Sequence, residues 1–289
     1  MIRVVEVGPR DGLQNEPVQI PTEAKVAFVN ALSETGTSDI EVSAFVSPKW
    51  VPQLVDANEV FSQIKRHEGV TYSALVPNEF GFLRAVDAGV DKVAVFTAAS
   101  EGFSGKNTNC SIEESFQRVK SVVTKAIGVG VPVRGYVSTA FWCPYDGKVD
   151  PVAAAEVIER MADFGVTDVS IGDTIGKASP DEINALLDEV LKRVPVERVA
   201  MHFHDTYGRA GQNVLASWKY GVEIYDACTG GIGGCPYAPG ASGNVATGTV
   251  VRTLREAGAK VLIDLDALEV ARRKIIDYLC NAGARNTSA

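Results

Sequence analysis

Two of the three histidines in this chain stand two residues apart, in Met201-His202-Phe203-His204-Asp205. The preceding Val196-Glu197-Arg198-Val199-Ala200 reads as the start of a strand, where residues two apart point to one face. His202 and His204 therefore project together, with Phe203 opposite. Neutral imidazoles are common metal ligands, and a same-face pair supplies two corners of a site. The bland alternative is one histidine satisfied in a core and one at the surface. The other corners must come from distant parts of the chain, so the fold decides between the two.

The chain alternates short apolar strands with amphipathic helices. Strands are expected to begin near Arg3, Asp39, Thr71, Lys92, Val131, Asp168, Arg198 and Glu223. The first helix is expected over Thr22 to Thr35, with Phe28 and Leu32 on one face and Val29 beside them. Gly36, Gly89, Gly130, Gly165 and Gly221 punctuate the units, where a left-handed residue often ends a helix. Eight such units in 289 residues predict an α/β fold, a single (β/α)8 TIM barrel over residues 1–289. The first turn, Gly8-Pro9-Arg10-Asp11-Gly12, is not the Gly-x-Gly-x-x-Gly of an open dinucleotide-binding sheet. The last helix is expected over Leu265 to Leu279, with residues 281–289 a loose tail.

Composition narrows the function. Hydrophobic content of 46% and charged content of 22% are ordinary for a globular protein. No apolar run reaches about 18 residues, so no membrane span is expected. The start of the chain reads as a strand, not a targeting segment. A net charge of −8 argues against nucleic acid and anionic membrane partners, and an anionic substrate would need local positive charge. Five cysteines without Cys-x-x-Cys spacing suggest reduced thiols and a cytoplasmic location.

In a barrel of this kind the active site lies at the C-terminal ends of the strands. Arg10 and Asp11 follow the first strand, and Glu41 is placed at the end of the second. Tyr136 and Ser138 end the fifth, Asp173 and Thr174 follow the sixth, and His202 and His204 end the seventh. One carboxylate, Asp11, and two imidazoles form an oxygen and nitrogen set without thiolate. It suits a six-coordinate divalent ion, Mg²⁺ or Mn²⁺, better than a closed tetrahedral zinc site. After the eighth strand comes a glycine-rich loop, Gly230 to Asn244, with Cys235 at its centre. It lacks the Gly-Lys-Ser/Thr ending of a nucleotide loop and reads either as a phosphate cradle or as a lid. In strand one, Val5 and Val7 would face the helices and Glu6 the barrel interior, where a charge needs a partner. Arg134 alternates with Tyr136 and would also point inward; the alternative for Glu6 is a wet barrel end. Ser111-Ile112-Glu113-Glu114 is a capping box, and His67 sits in a charged, solvated turn.

Several stretches resemble the 3-hydroxy-3-methylglutaryl-CoA lyases. They are Val5 to Glu16, Phe45 to Gln53, Asn109 to Phe116, Gly135 to Ser138, Cys143-Pro144-Tyr145, Gly172 to Gly176, His202 to Gly208 and, most specifically, Gly233 to Asn244. The resemblance spans nearly the whole chain. It implies membership of the metallolyase barrels with an Asp-Arg-Glu constellation, matched here by Asp11, Arg10 and Glu41. It implies metal ligation by Asp11, His202, His204 and Asn244, and catalytic roles for Arg10, Asp11, Glu41, His202 and Cys235. It places Arg10, Tyr136, Asp173, Thr174, Asn107 and Ser111 with an acyl-CoA thioester substrate, and implies a homodimer in leucine-carbon metabolism. Two features depart from the family pattern. Gly248 stands where the family often has Glu, and Thr139 and Trp142 stand where smaller residues occur, near where an acyl group would lie.

The implied reaction is a retro-Claisen cleavage to acetyl-CoA and acetoacetate. Asp11 or His202 would take the proton of a metal-chelated hydroxyl, Arg10 would stabilise the thioester oxygen, and Cys235 or a histidine would protonate the enolate. The competing possibilities are a lyase for a related 3-hydroxyacyl-CoA, a Claisen-condensing synthase of the same superfamily, and a metal-binding barrel without catalysis.

Overall fold

The structure, a computed structural model, describes residues 1–233 and 243–286, the last six by backbone alone. Eight parallel strands close into a barrel: β1 (Arg3–Glu6), β2 (Asp39–Ala44), β3 (Thr71–Leu75), β4 (Lys92–Ala98), β5 (Val133–Ser138), β6 (Val169–Asp173), β7 (Val199–Phe203) and β8 (Ile224–Ala227). Each begins within two residues of its expected start. The helices between them are α1 (Thr22–Ser33), α2 (Ala57–Gln63), α3 (Glu79–Asp87), α4 (Glu101–Thr108), α5 (Ile112–Gly128), α6 (Pro151–Asp163), α7 (Pro180–Val190), α8 (Ala210–Lys219) and α9 (Thr247–Glu256). A last helix, α10 (Leu265–Asn286), packs along α1.

Local chemistry accounts for the helices. Phe28, Val29 and Leu32 of α1 are fully buried against the barrel. Ser111 caps α5 through the Glu114 amide while the Glu114 carboxylate returns to Ser111 N, the reciprocal pair its sequence predicts. Gly36 and Gly221 follow α1 and α8 at φ 82° and 89°, a conformation that glycine adopts without steric cost.

Two expectations are corrected and one feature is new. Helix α10 runs past Leu279 to Asn286, so most of the expected tail is helical; Ala282, Ala284 and Arg285 are strong helix formers and no proline intervenes. A small antiparallel ribbon, Trp142–Cys143 with Gly147–Lys148, sits in the loop after β5 and was not expected. Glu6 faces the helices rather than the bore. Arg3 and Val5 pair in register with Ile224 and Asp226, and Asp226 points inward to Arg134, so Glu6, paired with Ala227, points outward. The slip of one residue came from taking Val5 and Val7 to face the helices, and a shift of one reverses every side chain.

The bore is in fact ionic. Arg134 lies 2.7 Å from Asp168 and 2.6 Å from Asp226, Arg3 donates to Asp168 at 3.0 Å, and Lys92 to Asp39 at 2.9 Å. Three cations face three carboxylates, so the interior charge balances. Such pairs add little net stability, but removing one partner strands the other in low dielectric. Arg134→Met should therefore lower unfolding stability by about 3–5 kcal/mol, read from urea denaturation. A loss within the range of an exposed pair, up to about 1 kcal/mol, would show that the bore is effectively solvated.

Candidate active site at the barrel mouth

The chain leaves β1 in a wide single turn, Gly8–Gly12, whose Asp11 and Gly12 amides both return to the Val7 carbonyl, at 2.8 and 3.3 Å. This turn sets Arg10 and Asp11 side by side at the C-terminal mouth. Arg10 Nε donates to Glu41 Oε2 at 2.6 Å and Nη1 donates to Asp11 Oδ1. Glu41 is not at a strand end as expected: β2 continues to Ala44, and its register shifts between Glu41 and Ser43. Glu41 is buried beneath Arg10 and also accepts from Tyr136 Oη at 3.3 Å. The Tyr136 ring lies between two guanidinium groups, with Arg10 Cζ 5.5 Å and Arg134 Cζ 5.1 Å from its centroid.

The histidines project together as the two-residue spacing predicts, their ring centroids 5.4 Å apart. His202 Nδ1 meets Asp226 Oδ2 at 3.2 Å, which leaves Nε2 toward Asp11 Oδ2, 3.9 Å away. Asp226 is held by Arg134 and by Ser170 Oγ at 2.6 Å. The contacts form a closed circuit: Asp11, Arg10, Glu41, Tyr136, Arg134, Asp226, His202 and back to Asp11. Asn244 is delivered by backbone pairing across the end of β7, with Val245 N on Phe203 O at 2.9 Å and Asp205 N on Gly243 O at 2.8 Å. Its Nδ2 donates to Asp11 Oδ2 at 2.8 Å.

The charges are tuned by this packing. Burial opposes charge on Asp11, but Arg10 and the two histidines hold its carboxyl well below the usual range. Burial also opposes charge on Asp226, yet Arg134 and His202 bring it down to about 2. His202 is raised because its bond to Asp226 outweighs burial. His204 is lowered to about 4 by burial and then by His202, so it is neutral at physiological pH.

A divalent cation fits this set. One ligand atom each from Asp11, His202 and His204 lie within 4.8 Å of one another. Among the described residues, Nδ1 of His204 is buried without a hydrogen-bond partner, a cost that a metal held there would remove. Asn244 could join them through its amide oxygen after turning from its bond with Asp11.

Arg10, Asp11, His202 and His204 of the cluster line a cavity of about 680 Å³. Tyr136, Thr174 and Asn107 line it, as does Gly233. Cys235 lies outside the described residues. Asp173 and Ser111 do not line the cavity. Asp173 turns into its own loop and accepts Lys177 N and Ala178 N, both at 3.1 Å. Thr139 and Trp142 are also absent from the lining. Thr139 N donates to Thr174 Oγ1, and the Trp142 indole lies under Lys177 Nζ at 3.6 Å. Sequence reasoning missed Asp226, Ser170, Gln14, Asn15, Lys106 and Arg118. Asp226 had a signal, as a lone acid within the apolar strand Ile224-Tyr225-Asp226-Ala227.

Burial raises the Asp173 carboxyl to about 7, against the pull of the Ala178 and Lys177 amides. Its folded value exceeds the unfolded value of about 3.9. Its contribution to stability is therefore complete below about pH 4 and is lost as pH rises through about 7. Asp173→Asn cannot ionise, so wild type should lose stability relative to the variant between these limits. Thermal unfolding across that range tests this, and a gap independent of pH would overturn it.

The HMGL-like family model matches residues 1–275. The chain is 46% identical over 288 residues to the 3-hydroxy-3-methylglutaryl-CoA lyase, cytoplasmic, of Rattus norvegicus, covering 100% of this chain and 83% of that protein. It is 47% identical over 288 residues to the hydroxymethylglutaryl-CoA lyase, mitochondrial, of the same organism, covering 100% and 87%. The HMG-CoA lyase structure from Brucella melitensis superposes with a TM-score of 0.93 at 49% identity, covering 94% of this chain and 96% of that one. With the barrel in place and Arg10, Asp11, His202 and His204 converging at its mouth, the chain belongs to the HMGL-like family.

Proposed function

We propose that this protein cleaves 3-hydroxy-3-methylglutaryl-CoA to acetyl-CoA and acetoacetate, as a metal-dependent carbon–carbon lyase. The observation that carries this is the convergence of Arg10, Asp11, His202 and His204 on the wall of one cavity, in a chain 46% identical to named lyases of that thioester. Asp11, His202, His204 and Asn244 would hold Mg²⁺ or Mn²⁺, which would act as a Lewis acid and lower the proton affinity of the substrate's hydroxyl. Asp11 would take that proton on the carboxylate oxygen not given to the ion as the carbon–carbon bond breaks, or His202 would take it at Nε2 if the ion is held by the other three residues. Asp226 fixes the His202 ring, so Nε2 is the nitrogen offered to the mouth.

Arg10 is the electrophilic residue. Glu41 engages its Nε and Asp11 its Nη1, so the guanidinium plane is locked. Its charge is secure, because Asp11 and Glu41 together outweigh burial and raise it further. It stabilises the thioester oxygen as negative charge builds there. Cys235, or a histidine, returns a proton to the enolate carbon; in sequence Cys235 lies between Gly233, at the cavity wall, and Asn244. Asn107, Thr174 and Tyr136 contact the substrate. Lys106 and Arg118 line the same cavity and supply positive charge for an anionic thioester. Ser111 and Asp173 serve through the elements they hold, by capping α5 and by closing the turn after β6.

Two further parts belong to this proposal. A homodimer follows from the family resemblance and is checked by light scattering on the purified protein. A cytoplasmic location is supported by free thiols at Cys110, Cys143, Cys228 and Cys280, although the relatives include a mitochondrial lyase as well as a cytoplasmic one. Among the described residues, no helix is long and apolar enough to cross a membrane.

A panel of 3-hydroxyacyl-CoA thioesters tests the reaction. Cleavage of 3-hydroxy-3-methylglutaryl-CoA should dominate, and preference for another acyl group would transfer the activity to a related lyase. Arg10→Lys keeps the charge but loses the planar fork, so kcat should fall by at least about 100-fold with KM little changed. A large KM defect at normal kcat would make Arg10 a binding residue alone. Cys235→Ser should bind metal normally and turn over slowly; full turnover would remove the thiol from the chemistry.

A further inference from the structure

We propose that Glu6 is a positioning residue for the metal centre, holding the turn after β1 and both ends of the loop after β8 in one register. The proposal rests on Asp11 and Asn244 belonging to that centre. The Glu6 carboxylate is 1% exposed and lies outside the bore, between β1 and the start of α9. Oε1 accepts Gly8 N at 3.0 Å and Thr229 N at 2.7 Å. Oε2 accepts the hydroxyls of Thr229 and Thr247, both at 2.7 Å. The four donors come from three separate segments. Gly8 opens the turn that carries Arg10 and Asp11. Thr229 and Thr247 bracket the loop that carries Asn244 and, in sequence, Cys235.

Backbone bonds close the base of the loop on itself, Cys228 N to Val245 O at 3.0 Å and Thr247 N to Cys228 O at 3.2 Å. Glu6 adds the link from that base to the β1 turn. The fit is close: a Cβ on Gly8 would lie 2.6 Å from Glu6 Oε1, so the turn must pass directly over the carboxylate. A carboxylate buried without a cation carries a desolvation penalty that an apolar side chain would avoid. No ion pair to Glu6 forms among the described residues; four aimed donors take the place of a counter-charge. Two of those donors are amides, which cannot reverse. Two are hydroxyls, which can rotate to accept.

That difference supplies the test. Glutamine at this position keeps a carbonyl for the two amides and offers an NH₂ that both hydroxyls can accept. Leucine keeps volume and loses all four bonds. Metal-free protein is titrated calorimetrically with Mn²⁺, well below the melting temperature of each variant. Glu6→Leu should weaken Mn²⁺ binding by about 10–100-fold, the usual effect of removing a residue that orients ligands. Glu6→Gln should restore it to near wild type, which a defect in folding stability alone would not require. If Glu6→Leu does not fold, Thr247→Val decides, since it removes one bond at the Asn244 end of the loop and should still weaken binding. Asn244→Ala separates the two levels of argument. If that variant binds Mn²⁺ as wild type does, the assignment of Asn244 to the centre fails. If it binds weakly while folded Glu6→Leu and Thr247→Val variants keep full affinity, the role given to Glu6 is overturned.

Discussion

Arg134 is the residue on which the interior depends. Its guanidinium reaches Asp168 below and Asp226 above, and Asp226 in turn grips His202. Its Cζ also stacks on Tyr136, whose hydroxyl meets Glu41, the partner of Arg10. One buried cation thus touches both arms of the mouth, the imidazole arm and the guanidinium arm. In low dielectric these groups cannot move independently, because shifting one leaves its partner charged and unpaired. The site is preorganised by this constraint, so no reorganisation cost falls on the moment when substrate charge develops.

The same circuit sorts the candidate ligands by protonation. Asp11 is kept ionised by Arg10 and the histidines, and His204 is kept neutral by burial and by His202. His202 alone retains a tendency to hold a proton, through Asp226. Ligation by His202 would release that proton, coupling cation binding to acidity. The arrangement supplies one anionic oxygen and one ready nitrogen before any cation arrives.

Much of this was legible in the sequence where a period or a spacing carries the signal. The His-x-His pair reads correctly because strand alternation is strict. The strand starts follow from apolar runs bounded by glycine, and the cap of α5 from Ser111 and Glu114 alone. Residues whose meaning depends on a distant partner were misread or missed. Glu6 was assigned to the bore because Val5 and Val7 were taken to face the helices, whereas three of its four donors lie 223 and 241 residues away. Asp226 stands out locally as a lone acid in an apolar strand, but its partner Arg134 lies 92 residues away and is not marked by it. Thr139 and Trp142 drew suspicion from their size, but their contacts lead to Thr174 and Lys177 rather than into the cavity.

The seam of the barrel joins Arg3 to Ile224, and the candidate ligands straddle it. Asp11 comes from the first turn of the chain, and its bond to Asn244 spans 233 residues. Contacts of such sequence separation close late, because the intervening chain must be ordered first. During synthesis, then, a nascent barrel lacking its last quarter holds Asp11 but neither Asn244 nor the far side of the seam. The complete set of candidate ligands can assemble only after that closing pairing is made. Helix α10 lies along α1 and covers an element made some 240 residues earlier. The order of the chain itself thereby keeps the full candidate set from forming early.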